Sequence, residues 1–175
     1  MDLETGCYYH LYNRSNNCER LFRNTDNYLY FLDNFRNRFE DLLSVFAYCL
    51  MPTHFHFLIK VETREIDQLK QHIGIQLSAY TKALNKALGR HGSLFQQHTK
   101  AKLIDDQAYL IRLLSYIHQN PIRAGLVKDL KSWPFSSYLD LAGYRNGTLV
   151  DHSLVKREFG SVEKFRKFSE RSISI

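Results

Sequence analysis

The sequence predicts an α+β domain of the split βαβ, ferredoxin-like type, with an antiparallel sheet and one further helix appended behind it. Three observations lead there. Short runs rich in aromatic and β-branched residues alternate with longer segments whose apolar residues recur at helical spacing, in the order strand, helix, strand, strand, helix, strand, helix. The two middle strands are separated only by Met51-Pro52-Thr53, a connection too short for anything but an antiparallel neighbour. The length, 175 residues, suits one domain and buries enough surface to fold without disulfides.

The elements follow in order. Residues 7–12 (CYYHLY) form a short aromatic strand, and residues 13–24 a polar loop with Arg14, Arg20 and Arg23. Thr25 or Asp26 caps a helix to about residue 41, whose apolar stripe is Tyr28, Phe31, Leu32, Phe35 and Phe39. Residues 44–50 and 54–61 are the paired strands. A helix over residues 65–88 carries Leu69, Ile73, Leu77, Tyr80, Leu84 and Leu88 on one side and ends at Gly89. Residues 92–99 are a loop and 100–104 a short strand. Asp105 or Asp106 then caps a helix that Pro121 stops near residue 119. Short helices are expected around 136–142 and from about 161.

Composition narrows the function classes. Hydrophobic residues make up 44% and charged residues 24%, which is globular and not disordered. The net charge is +6, and the pI of about 9.2 suits a polyanionic partner, since pairing with phosphates releases counterions. Cys7, Cys18 and Cys49 form no CxxC pair, so neither a disulfide framework nor a cysteine zinc site is expected. The start is acidic without an apolar signal core, and no stretch is long enough to span a membrane. The expected setting is a reducing cytoplasm.

Two constellations can carry chemistry. In the strand 54–61, alternation puts His54 and His56 on one face and Phe55, Phe57, Ile59 and Val61 on the other. The apolar set must face the core, so the histidines face the open side of the sheet. There they can share a divalent cation, or stand simply as two half-exposed histidines. On the helix before Pro121, Leu110, Leu113, Leu114 and Ile117 form the core stripe. Tyr109, Arg112, Tyr116 and Asn120 form a second stripe beside it. A phenol and an amide oxygen four residues apart can serve a polarised phosphate and a metal, with Arg112 one turn earlier holding a phosphate oxygen. Alternatively, Tyr116 can be a core-edge aromatic and Asn120 a helix end. Tyr8, Tyr9 and Tyr12 can stack on unpaired bases or pack the sheet. Arg14, Arg20, Arg23 and Arg123 are candidate phosphate contacts or plain surface residues.

Together the strings resemble a known family. Met51-Pro52-Thr53-His54-Phe55-His56-Phe57-Leu58-Ile59, followed downstream by Tyr116-Ile117-His118-Gln119-Asn120-Pro121-Ile122-Arg123-Ala124-Gly125-Leu126-Val127, is similar to the REP-associated tyrosine transposases of the HUH endonuclease superfamily. Tyr9-His10, Asn13-Arg14, Leu94-Phe95-Gln96, Leu103-Ile104-Asp105-Asp106, Trp133 and Ser136-Ser137-Tyr138 extend the likeness over roughly residues 8 to 142.

The resemblance implies one transposase domain, with a core over about 7–142 and a variable extension over 143–175. It implies a divalent metal, Mg²⁺ or Mn²⁺, held by His54, His56 and Asn120, and Tyr116 as nucleophile. Histidine ligands favour Mn²⁺ or a later metal. Such enzymes cut single-stranded DNA beside hairpins, keep a 5′-phosphotyrosine and release a 3′-OH; Arg14, Arg112 and Arg123 are the expected DNA contacts. A hairpin DNA- or RNA-binding protein that does not cut, and a nuclease using metal-bound water, are the alternatives. Monomer and homodimer both stay open. Two departures stand out: Ser15 where the family often has glycine, and a basic C-terminal segment with Lys156, Arg157, Lys164, Arg166, Lys167 and Arg171. Its helix face also reads as merely solvated.

Overall fold

Four strands and six helices follow the expected order in the computed structural model, which describes residues 1–171. They are β1 (Tyr8–Arg14), α1 (Thr25–Phe39), β2 (Leu43–Met51), β3 (His54–Val61), α2 (Ile66–Leu88), β4 (Lys100–Ile104), α3 (Gln107–Arg123), α4 (Tyr138–Leu141), α5 (Ser153–Phe159) and α6 (Val162–Ser169). The sheet runs β2-β3-β1-β4 with every neighbour antiparallel. Pro52 and Thr53 alone join β2 to β3, and Met51 pairs with His54 across them. Their carbonyls do not go unpaired: Ser15 N–H donates to Thr53 O (2.8 Å) and Leu21 N–H to Pro52 O (2.7 Å).

One face of the sheet is the aromatic core. Phe55 and Phe57 of β3 sit under α1, with Phe35 stacked on Phe57 at 4.2 Å and Phe31 beside Phe55 at 5.4 Å. Tyr80 of α2 closes this layer and donates its hydroxyl to Leu21 O. The α1 N-cap is Asn24, whose side chain accepts from Asn27 N, and not Thr25 or Asp26. Leu88, expected in the α2 stripe, is exposed; Gln76 is buried instead, donating to Phe31 O and accepting from Arg38 Nε. Gly89, in the left-handed conformation at φ 61°, ends α2 as expected.

The opposite face is less open than the strand pattern implies. Cross-strand partners share a face, so Leu58 of β3 and Ala47 and Cys49 of β2 lie on the side of the histidines. These three are fully buried, because α3 lays Leu110, Leu113, Leu114 and Ile117 across them. What stays accessible is the part over β1, β4 and the start of β3.

Pro121 does not stop α3, which continues to Arg123. Proline deprives the Ile117 carbonyl of its helical donor. The Asn120 amide supplies one from the side chain, donating to Tyr116 O (2.9 Å) and Ile117 O (3.3 Å). Gly125, at φ 68°, then turns the chain out of the helix.

Of the extension expected over 143–175, residues 172–175 lie outside the described part. The rest joins the main core. Val150 bridges to Val45 of β2, and Leu154, Val155 and Phe165 are buried with it. The basic residues of α5 and α6 are mostly exposed, except that Arg166 lies 4.3 Å over the Tyr144 ring. Among the described residues no helix is long and apolar enough to cross a membrane.

Candidate metal and nucleic-acid site

Sheet register assembles the site before any helix joins it. On β1 and β3, Arg14 pairs with His54, Tyr12 with His56, and His10 with Leu58, so all six share one face. His54 and His56 stand with ring centroids 5.1 Å apart. Each is held through Nδ1. His54 Nδ1 lies 3.1 Å from Thr53 Oγ1, and His56 Nδ1 lies 2.9 Å from His10 Nε2. Neither Nε2 has a hydrogen bond among the described residues.

Burial keeps these rings neutral. Desolvation, with a smaller contribution from the Arg14 cation, lowers the His54 pKa. Desolvation also holds His56 well below the ordinary imidazole value, helped by His10 and His54. His10 is pushed down to about 4, first by burial and then by Lys102. A neutral imidazole keeps a lone pair for a cation at neutral pH.

The helix α3 brings the other two groups. Tyr116 sits with its ring centroid 6.3 Å from that of His56. Asn120 follows one turn later, its amide nitrogen engaged with the helix carbonyls and its Oδ1 without a donor among the described residues. The donor set is therefore two imidazole nitrogens and one amide oxygen, all uncharged. It fits a divalent cation of borderline softness that still needs oxygen ligands from a phosphate or water. Among the described residues no cluster of three or more His, Cys, Asp or Glu offers a competing metal site.

These residues line a cleft of about 440 Å³ together with Tyr12, Asn13, Gln96, His98 and Lys100. Arg14 is at its edge, donating Nε to Gln96 Oε1 (3.0 Å). The guanidinium of Arg123 lies 5.0 Å from the Tyr116 ring centroid. Arg112 does not join them: it turns back to Asp106 at 3.7 Å, because Asp106 caps the start of α3 with a carboxylate in reach. His118 faces away from the cleft, bonded through Nε2 to Ser137 Oγ. A larger hollow of about 680 Å³, near the end of α3 and lined by Arg123, Lys128, Lys131 and Tyr138 among others, contains neither histidine.

Sequence reasoning missed His10, His98, Lys100 and Gln96. His10 has the parity of Tyr12 and Arg14 on β1, but only the register of β1 against β3 brings it to His56. Gln96 and His98 come from a loop without periodicity. That loop is fixed by Asn13, whose side-chain amide donates to Gln96 O and Thr99 Oγ1.

Over 100 residues, 53% of its length, the chain is 31% identical to a candidate REP-associated tyrosine transposase of Haemophilus influenzae. The chain is similar to the REP-associated tyrosine transposases. It spans 57% of that relative's length. Its fold matches a solved structure of a REP-associated tyrosine transposase bound to a REP hairpin, with a TM-score of 0.64 over 88% of this chain and 93% of that one, at 19% identity. No protein-family model matches the chain.

Proposed function

We propose that this protein is a REP-associated tyrosine transposase, a metal-dependent enzyme that cuts and rejoins single-stranded DNA beside hairpins. The observation that carries this reading is the meeting of Tyr116 with His54, His56 and Asn120 in one cleft lined also by Arg14 and Lys100, with the Arg123 guanidinium over the Tyr116 ring. The similarity to a transposase and the shared fold support it. Every residue of the set belongs to one chain, so the reading needs no second subunit.

In this reading the Tyr116 phenol oxygen attacks a phosphorus of the DNA backbone. An O–P bond forms as the P–O3′ bond breaks, and the phenol loses the proton that the departing 3′ oxygen gains. The products are a 5′-phosphotyrosine and a free 3′-OH, and attack by a 3′-OH on the phosphotyrosine reverses the step without an energy source. Arg14, Lys100 and Arg123 bind the flanking phosphates and hold the strand in line with the phenol. His54, His56 and Asn120 would hold a divalent cation, Mn²⁺ or Mg²⁺, which supplies charge to the scissile phosphate. Asn120 also ties this ligand to the Tyr116 carbonyl, so nucleophile and donor move as one piece of helix.

The test is incubation of a labelled hairpin oligonucleotide with Mn²⁺ or Mg²⁺. Wild-type protein forms a denaturant-resistant adduct, and Tyr116→Phe forms none. Equal adduct from both removes Tyr116 from the mechanism. Tight hairpin binding unaffected by EDTA, with no adduct under any metal, favours a binding protein that does not cut. Free 5′-phosphate without adduct favours attack by water.

A further inference from the structure

We infer that His10 is a positioning residue for His56, holding that ring so that Nε2, and not Nδ1, is the nitrogen presented to a cation. The inference rests on reading His56 as a metal ligand. Its basis is one contact: His10 Nε2 lies 2.9 Å from His56 Nδ1, with the ring centroids 5.0 Å apart and the planes tilted by 30°. A neutral imidazole has one donor and one acceptor nitrogen. The shared proton can therefore sit in two ways. If His10 donates, His56 carries its own proton on Nε2 and cannot bind metal there. If His56 Nδ1–H donates, His56 Nε2 is a bare lone pair and His10 keeps its proton on Nδ1. Metal binding selects the second arrangement.

His10 makes that arrangement affordable. The contact is shielded, since His10 is 7% exposed and Tyr12 packs on the same ring with centroids 4.6 Å apart. With His10 replaced by an apolar residue, the Nδ1–H of a metal-bound His56 would lose the acceptor it has here, and an unpaired buried donor is costly. Thr53 Oγ1 serves the Nδ1 of His54 in the same way, but from the turn and closer to solvent. Partners of this kind orient ligand rings and typically change metal affinity by roughly 10–100-fold.

The experiment measures Mn²⁺ affinity of the full chain by electron paramagnetic resonance, without DNA. His10→Leu weakens binding by roughly 10–100-fold, and His10→Gln, whose Oε1 can accept from Nδ1–H, recovers much of the loss. His56→Ala in parallel separates the two ideas. If His56→Ala binds Mn²⁺ like wild type, the ligand reading fails; if it loses binding while His10→Leu does not, only the role of His10 is overturned. Should His10→Leu fold poorly, long-range ¹⁵N–¹H spectra of wild-type protein loaded with diamagnetic Zn²⁺ decide the matter. His56 protonated on Nδ1 and His10 on Nδ1 is the expected pattern, and a proton on His10 Nε2 contradicts it.

Discussion

The two faces of the sheet are built on different principles. Under α1, aromatic rings fill the space: Phe22, Phe31, Phe35, Phe55, Phe57 and Tyr80 pack edge and face at centroid distances between 4.2 and 5.7 Å. Under α3 the face is split. Leu58, Ala47 and Cys49 take the leucine stripe, while His10, His54 and His56 stay beside it, His10 bonded to His56 and His54 to Thr53, with the Tyr12 ring packed on His10. The first face supplies stability that tolerates no gap. The second uses that rigidity to hold neutral, half-buried nitrogens and a phenol where none of them would gather through hydrophobic burial alone.

If that division is right, substitutions on the two faces separate stability from chemistry. The largest effect belongs to Phe57→Ala, which leaves a cavity against Phe35 and Tyr48. It should lower unfolding free energy by about 3–5 kcal/mol in urea titration while sparing adduct formation by whatever protein remains folded. His54→Ala should do the reverse. Mn²⁺ affinity should fall by at least about 100-fold, more than loss of a supporting residue, with a small change in the urea midpoint. A His54→Ala protein that binds Mn²⁺ normally but melts early would erase the distinction between the faces.

Acid sharpens the comparison, since both buried histidines of the α3 side resist protonation. His118 is held at about 3 by burial, and His10 at about 4. The unfolded chain takes up protons near pH 6.5, but the folded chain does not. Stability is therefore complete above that pH and falls as pH drops, by up to about 1.4 kcal/mol per pH unit for each group. Urea midpoints should decline from pH 7.5 to 5, and less steeply in His118→Gln. A flat profile would contradict the burial of these rings. The smallest effect is expected from Arg112→Ala. Its partner is Asp106 at an exposed helix start, so hairpin affinity and adduct yield should stay within about twofold of wild type, as for most surface ion pairs. A large loss would return Arg112 to the DNA path.

Legibility in the sequence follows the same division. The aromatic face is readable because an apolar residue stands at every second position from Phe55 to Val61 and the α1 aromatics keep helical spacing, which leaves one arrangement, with β3 bounded at His54–Val61. Gly89 was readable because only a left-handed terminator was needed there. Pro121 misled because the rule against proline in a helix ignores a neighbouring side chain that can serve the orphaned carbonyl, and Asn120 does so. The partial cover of the histidine face by α3 was hidden for lack of any local sign of which apolar residues a later helix would claim. His10 escaped for a related reason: its partner is 46 positions away, and pairing register is not written in either strand. Tyr116 and Asn120 could be matched to a motif, but that they meet His54 and His56 is visible only in three dimensions.

The central claim is that the Tyr116 oxygen becomes bonded to DNA in a cleft organised by His54 and His56. The most direct measurement is peptide mass spectrometry of the full chain after reaction with a hairpin oligonucleotide and Mn²⁺, followed by nuclease trimming. The account predicts a nucleotide mass on the peptide containing Tyr116 and on no other, absent when Mn²⁺ is chelated. A nucleotide mass on a different tyrosine, or cleaved DNA with every tyrosine unmodified, would contradict it.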